Sequence, residues 1–142
     1  MGEGANAILF WEASDQTWST GDFGMINSQG QAKPVAAAMK IAFDSLPWDI
    51  PVVEAKGAGS DIVAIAFRIP AGIRVDLVNL TPSPHLIHAT FQGLNLSSGG
   101  LRNIQVFDAQ AGKHASANQP VFNDGILTDD LPGRTLVSFL LE

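Results

Sequence analysis

Ile62-Val63-Ala64-Ile65-Ala66-Phe67-Arg68-Ile69, then Pro70-Ala71-Gly72, then Ile73-Arg74-Val75-Asp76-Leu77-Val78-Asn79-Leu80 is the stretch that decides the fold. Two runs of strand length flank a Pro-Ala-Gly turn. In the second run Ile73, Val75, Leu77 and Asn79 fall on one side, and Arg74, Asp76, Val78 and Leu80 on the other. A period of two is the signature of a strand, whose successive side chains point to opposite faces. In the first run Ile62, Ala64, Ala66 and Arg68 oppose Val63, Ile65, Phe67 and Ile69.

Outward toward the C-terminus the same texture continues. Leu86 to Phe91, Asn103 to Phe107 and Arg134 to Leu141 read as further strands, while Val52 to Ala55 and Ile126 to Thr128 carry a weaker signal. Short strands punctuated by Gly, Pro, Asn and Ser predict an antiparallel β-sandwich, Greek-key-like in its connections. Ser97-Ser98-Gly99-Gly100 reads as a turn between strands. The fold class expected is therefore mainly β, with the sandwich over residues 49–142.

Toward the N-terminus the pattern changes at Pro47-Trp48-Asp49-Ile50-Pro51. Before it, Val35, Met39, Ala42, Phe43 and Leu46 recur at helical spacing and draw one apolar face. Pro34 suits the first turn of that helix, where its missing N–H is not needed, and Pro47 ends it. Glu12 to Gln31 is a polar loop, long enough to suggest function. Ala7-Ile8-Leu9-Phe10-Trp11 is a continuous apolar run, the form of a strand buried on both faces. Residues 1–48 thus read as one strand-loop-helix unit ahead of the sandwich. A doubly buried strand needs neighbours on both edges, which this chain does not offer. The expectation is that it was the last strand of a larger α/β domain whose earlier units lie elsewhere.

Composition narrows the function classes. The 142 residues are 46% hydrophobic and 15% charged, so a packed core is expected. Eight Lys+Arg against 14 Asp+Glu give a net charge of −6 without a basic stripe, which disfavours nucleic acid as a partner. The absence of cysteine removes disulfides, thiolate nucleophiles and cysteine-based zinc sites. No apolar run approaches the roughly 18 residues that span a bilayer, so no membrane partner is expected. Met1-Gly2-Glu3-Gly4 lacks the basic start of a signal peptide, so either the protein is cytoplasmic or its N-terminus lies upstream. His85 and His88 are three apart on a strand and point to opposite faces, so with His114 they suggest no metal site, and no cofactor is expected. Asn79-Leu80-Thr81 and Asn95-Leu96-Ser97 match the N-glycosylation triplet, a pattern common by chance.

Three early stretches carry a family likeness: Phe10-Trp11-Glu12-Ala13-Ser14-Asp15, Gly21-Asp22-Phe23-Gly24-Met25-Ile26-Asn27 and Lys33-Pro34-Val35-Ala36-Ala37-Ala38-Met39. Together they resemble the final unit of the β/α-barrel retaining glycoside hydrolases of the xylosidase/xylanase-like clan. Val75-Asp76-Leu77-Val78-Asn79-Leu80-Thr81 and Leu131-Pro132-Gly133-Arg134-Thr135-Leu136-Val137 resemble strands of the sandwich appended to those barrels. Ile26 departs from the family's loop element, which often has Leu there. The resemblance implies a C-terminal piece of a carbohydrate-cleaving enzyme, its parent secreted or periplasmic, with carbohydrate as the partner.

A retaining mechanism needs two carboxyl groups about 5 Å apart. In the family these come from barrel strands with no counterpart here, so no catalytic residue is expected in this chain. The resemblance makes Trp11 an aromatic platform beneath the sugar. Glu12 and Asp15, just past the strand end where barrel sites gather, become candidates for binding sugar hydroxyls, and Trp18 a subsite aromatic. The other readings are a stand-alone carbohydrate-binding sandwich and a structural module. The first is weakened because the aromatics beyond residue 50 are all Phe. The second would form a homodimer through residues 7–46.

Overall fold

The computed structural model describes residues 14–15, 24–43, 46, 49–53, 59–92, 100–108, 113–114 and 120–142, the side chains of 102–104 and 113–114 excepted. The expected strand at residues 7–11, the Pro47-Trp48 junction and the Ser97–Gly99 turn lie outside these residues.

Among the described residues one helix, α1 (Pro34–Phe43), precedes nine strands: β1 (Val52–Val53), β2 (Ile62–Ile69), β3 (Gly72–Asn79), β4 (His85–Thr90), β5 (Leu101–Asp108), β6 (Lys113–His114), β7 (Val121–Asn123), β8 (Ile126–Leu131) and β9 (Thr135–Leu141). They form a six-stranded sheet in the order β1-β2-β3-β9-β5-β6 and a three-stranded sheet in the order β4-β8-β7. Every strand pairing is antiparallel. The mainly-β sandwich is as expected. β6 and β7 were not foreseen, and β8 runs to Leu131 rather than ending at Thr128. Asp124-Gly125 held the missed signal: both residues have positive φ, 50° and 76°, and they form the two-residue turn between β7 and β8. An Asp-Gly pair is suited to that turn because its twist matches the flanking strands.

The Pro70-Ala71-Gly72 turn closes the β2–β3 hairpin in register from Ile62↔Asn79 to Ile69↔Gly72. Gly72 has φ 144°, and a Cβ there would sit 2.0 Å from the Leu141 carbonyl oxygen, so the turn excludes any side chain. Alternation along β3 and β9 sends Ile73, Val75, Leu77, Val137, Phe139 and Leu141 into the main core, where Phe122, Leu127 and Leu131 meet them from the smaller sheet. Hydrophobic burial of this size is the dominant stabilising term.

The other side of the six-stranded sheet is also covered. Ile41 packs there with Phe107 and Leu136, supported by Ala37, Ala38, Ala42 and Val78. All seven residues of β9 are consequently buried, which is why its sequence is nearly continuous in apolar residues rather than alternating. The molecule has three layers: helix, large sheet, small sheet.

The helix corrects the expectation for its apolar face. Over its described span, Pro34–Phe43, Ala37, Ala38, Ile41 and Ala42 turn to the sheet. Of the expected face, Ala42 does pack there, whereas Val35 and Phe43 are 39% and 37% exposed. Small alanines let the helix backbone approach closely. Arg74, buried on the sheet, reaches through that layer and donates from Nη2 to the Ile41 carbonyl. A cation near the helix C-terminus satisfies a carbonyl there and opposes the helix dipole. Its Nε donates to Asp76 Oδ1 at 3.1 Å. Burial raises the Asp76 carboxyl above its ordinary range, against the lowering effects of a Ser138 hydrogen bond and the Arg74 charge.

Candidate functional site

Of the four residues expected to face a sugar, Trp11, Glu12 and Trp18 lie outside the described residues. Asp15 lies within them. Two bridges frame it: Ser14 pairs with Ile26 in parallel, and Ile26 with Ala32 antiparallel. The Asp15 N–H donates to the Ile26 carbonyl at 2.8 Å, and the Lys33 N–H to the Met25 carbonyl at 2.8 Å. Between them Asn27 organises a tight turn, its Oδ1 accepting from the backbone of Gln29 and Gln31 at 3.0 and 2.8 Å.

The Asp15 carboxylate is the centre of this arrangement. Oδ1 accepts from the Gly24 N–H at 2.7 Å and from Lys33 Nζ at 2.8 Å. Oδ2 lies 2.6 Å from the same Lys33 nitrogen. The two side chains are only 12% and 14% exposed, so water competes weakly for the pair. Gly24 is required, since a Cβ would fall 2.6 Å from the Asp15 nitrogen. Asp15 therefore acts as a latch joining Ser14–Asp15, the 24–32 turn and the entrance of α1. Both oxygens are engaged within the chain. The Gly-containing element and the Lys33-Pro34 step, read from the sequence as separate motifs, are two ends of this one contact.

A second polar cluster lies where two connections pass between the sheets, β3 to β4 and β8 to β9. Asn79 is 1% exposed, and its Nδ2 donates to the carbonyls of Ser83, Leu131 and Pro132 at 2.8, 3.2 and 3.0 Å. That engagement makes the Asn79-Leu80-Thr81 triplet a buried clasp instead of an accessible glycosylation acceptor. Thr81 Oγ1 lies 3.0 Å from His85 Nε2, and Asp61 Oδ2 is 4.0 Å from that same nitrogen. A hydrolytic triad needs the acid on the imidazole's other nitrogen, so this grouping is not one. His85 is half-buried and His88 exposed on alternate faces of β4, as their spacing implied. Among the described residues no group of His, Cys, Asp and Glu could hold a metal ion. No described helix is long and apolar enough to cross a membrane.

The sandwich aromatics belong to the core. Phe67, Phe107, Phe122 and Phe139 are buried, and Phe91 meets Phe122 edge to face at 6.0 Å. Among the described residues the sandwich presents no exposed aromatic row on which a sugar ring could stack.

No protein-family model matches the sequence, and no curated protein sequence does. Solved structures do match the fold. The catalytic domain of the family 30 glycoside hydrolase xylanase C from Talaromyces cellulolyticus superposes with a TM-score of 0.71 at 18% identity, over 92% of this chain and 29% of that one. A family 30 endoxylanase from Clostridium papyrosolvens gives 0.70 at 18% identity, over 88% and 32%. A family 30, subfamily 8 xylanase from Clostridium acetobutylicum gives 0.69 at 15% identity, over 87% and 32%. The chain spans about a third of the length of these proteins. The likeness first read in short motifs thus holds in three dimensions: this chain has the fold of part of a family 30 xylanase.

Proposed function

We propose that the chain is the C-terminal part of a retaining β/α-barrel glycoside hydrolase, one terminal strand-loop-helix unit (residues 1–48) and its β-sandwich (residues 49–142). The observation that carries this reading is the double-sided helix. One side of α1 closes the sandwich through Ile41 and its alanine neighbours. The other, Val35 and Phe43, is open, as a helix standing between two layers would be. Matching nearly all of this chain to less than a third of each xylanase supports the same view.

In this role the sandwich buttresses a carbohydrate-cleaving barrel, and the two catalytic carboxylates come from the barrel's own strands. The residues before the Asp15 latch, Trp11 and Glu12, form one wall of the sugar site together with Trp18, and carbohydrate is the partner met through the whole enzyme. Its compartment is then extracellular or periplasmic, where such polymers are found. The test is hydrolysis of aryl β-xylosides and xylan by the purified 142-residue chain. No turnover above buffer is expected; saturable turnover that survives repurification would overturn the reading.

A further inference from the structure

Asp129 occupies a position where a carboxylate has no counterpart. It lies on β8, the central strand of the three-stranded sheet, and strand alternation turns Leu127, Asp129 and Leu131 together into the sandwich. Both leucines are fully buried and Asp129 is 4% exposed. Its neighbour across β4 is Ile87. Among the described residues its carboxyl has the Asp130 backbone as its hydrogen-bond partner and no side chain.

Among the described side chains no cation is arranged to meet it. On β4, His85 shares the inner side but its Nε2 is 3.0 Å from Thr81 Oγ1, and His88 faces outward. On the opposing sheet the inner positions of β3 and β9 are apolar apart from Asn79 and Thr135. Arg68 of β2 pairs with Ile73, at the far end of β3 from the Asn79 clasp. Asp108 of β5 pairs with Thr135 and carries the same sign of charge. β7 holds no ionisable group. The charge that acts on it is that of Asp130 beside it, also an acid.

We propose that Asp129 is a pH-sensitive element of the sandwich: as the neutral acid it packs among the inner leucines, and as the carboxylate it loosens the small sheet from the large one. Desolvation raises the energy of the charged form, and the Asp130 charge adds to that effect; both push the Asp129 carboxyl above its ordinary value of 3.8. Since the fold favours the neutral form, the stabilisation is complete below the unfolded-chain value and is lost as pH rises through the raised folded value. Asp76 is shifted in the same direction, so substitution at Asp129 is needed to separate the two.

Thermal unfolding of the whole 142-residue chain from about pH 4 to about pH 8 tests this. The wild type is expected to melt at falling temperature as pH rises. Asp129→Asn should remove most of that fall and melt about 5 °C higher at the upper end. Asp129→Leu, which carries no amide to satisfy, should shift in the same direction. Variants that parallel the wild type, or that melt lower at the upper pH, would overturn the proposal. So would a carbon-13 titration of the wild-type carboxyl with its midpoint at the ordinary value, whatever the variants do.

Discussion

Asp15 illustrates how much a single residue's role depends on what surrounds it. Its place after a strand end made it a candidate sugar ligand, yet both carboxylate oxygens are turned inward to Gly24 and Lys33. A partly desolvated pair held by a backbone N–H contributes more than an exposed ion pair, and removing one partner leaves the other poorly satisfied. Lys33→Met should therefore destabilise the chain by about 2 kcal/mol in urea unfolding, whereas Lys33→Arg should recover part of the loss. A neutral result would mean that the latch is not formed in solution. Asn79 was legible as a strand residue, as part of a family-like strand motif and as a glycosylation triplet, but not as a clasp. Its three carbonyl partners include two from residues 131–132, more than 50 positions away, and no local pattern encodes such a contact. Asp129 lies one residue beyond the Ile126–Thr128 signal, and only the longer β8 turns it inward.

At the scale of elements, α1 carries the main lesson. The spacing of Val35, Met39, Ala42, Phe43 and Leu46 draws one apolar stripe, whereas the side that meets the sheet is Ala37, Ala38, Ile41 and Ala42. Only Ala42 is common to the two, because periodicity favours the bulkier residues. Packing chose the small one, because alanines bring the helix close enough for Arg74 to reach its backbone and for Ile41 to fill the gap between Phe107 and Leu136. Ile41→Ala should cost about 2–4 kcal/mol in denaturant unfolding of the isolated chain. Val35→Ser and Phe43→Ser should each stay within about 0.5 kcal/mol, as substitutions on an exposed side do. Equal losses from both sets would mean that the helix is rotated relative to the sheet. The strands were easier to read than the helix face. The β2–β3 hairpin was legible almost residue for residue, since its alternation and its Pro-Ala-Gly turn are local.

For the whole molecule, the open side of α1 has a consequence. Exposed apolar surface favours association. If the chain is a piece of a larger enzyme, isolating it uncovers the surface that the barrel would occupy. We expect the 142-residue chain to form a homodimer through residues 7–46, detected by light scattering across a concentration series. A Val35→Ser/Phe43→Ser double variant should shift it toward monomer. A wild-type monomer throughout the series would argue that this surface is not an interface.

What the sequence by itself determined is the type of most elements and the class of fold. Period-two runs, turn residues and a helical stretch opened by Pro34 are short-range features, written in neighbours a few positions apart, and the motifs linking the chain to barrel glycosidases are of the same kind. The tertiary structure alone decided which sides those elements bury and which polar groups meet: β3 beside β9, Arg74 beneath α1, Asn79 across two connections, Asp129 inside. These depend on contacts between residues tens of positions apart. There the outcome is set by shape, close approach and the cost of burying charge, none of which a local pattern records.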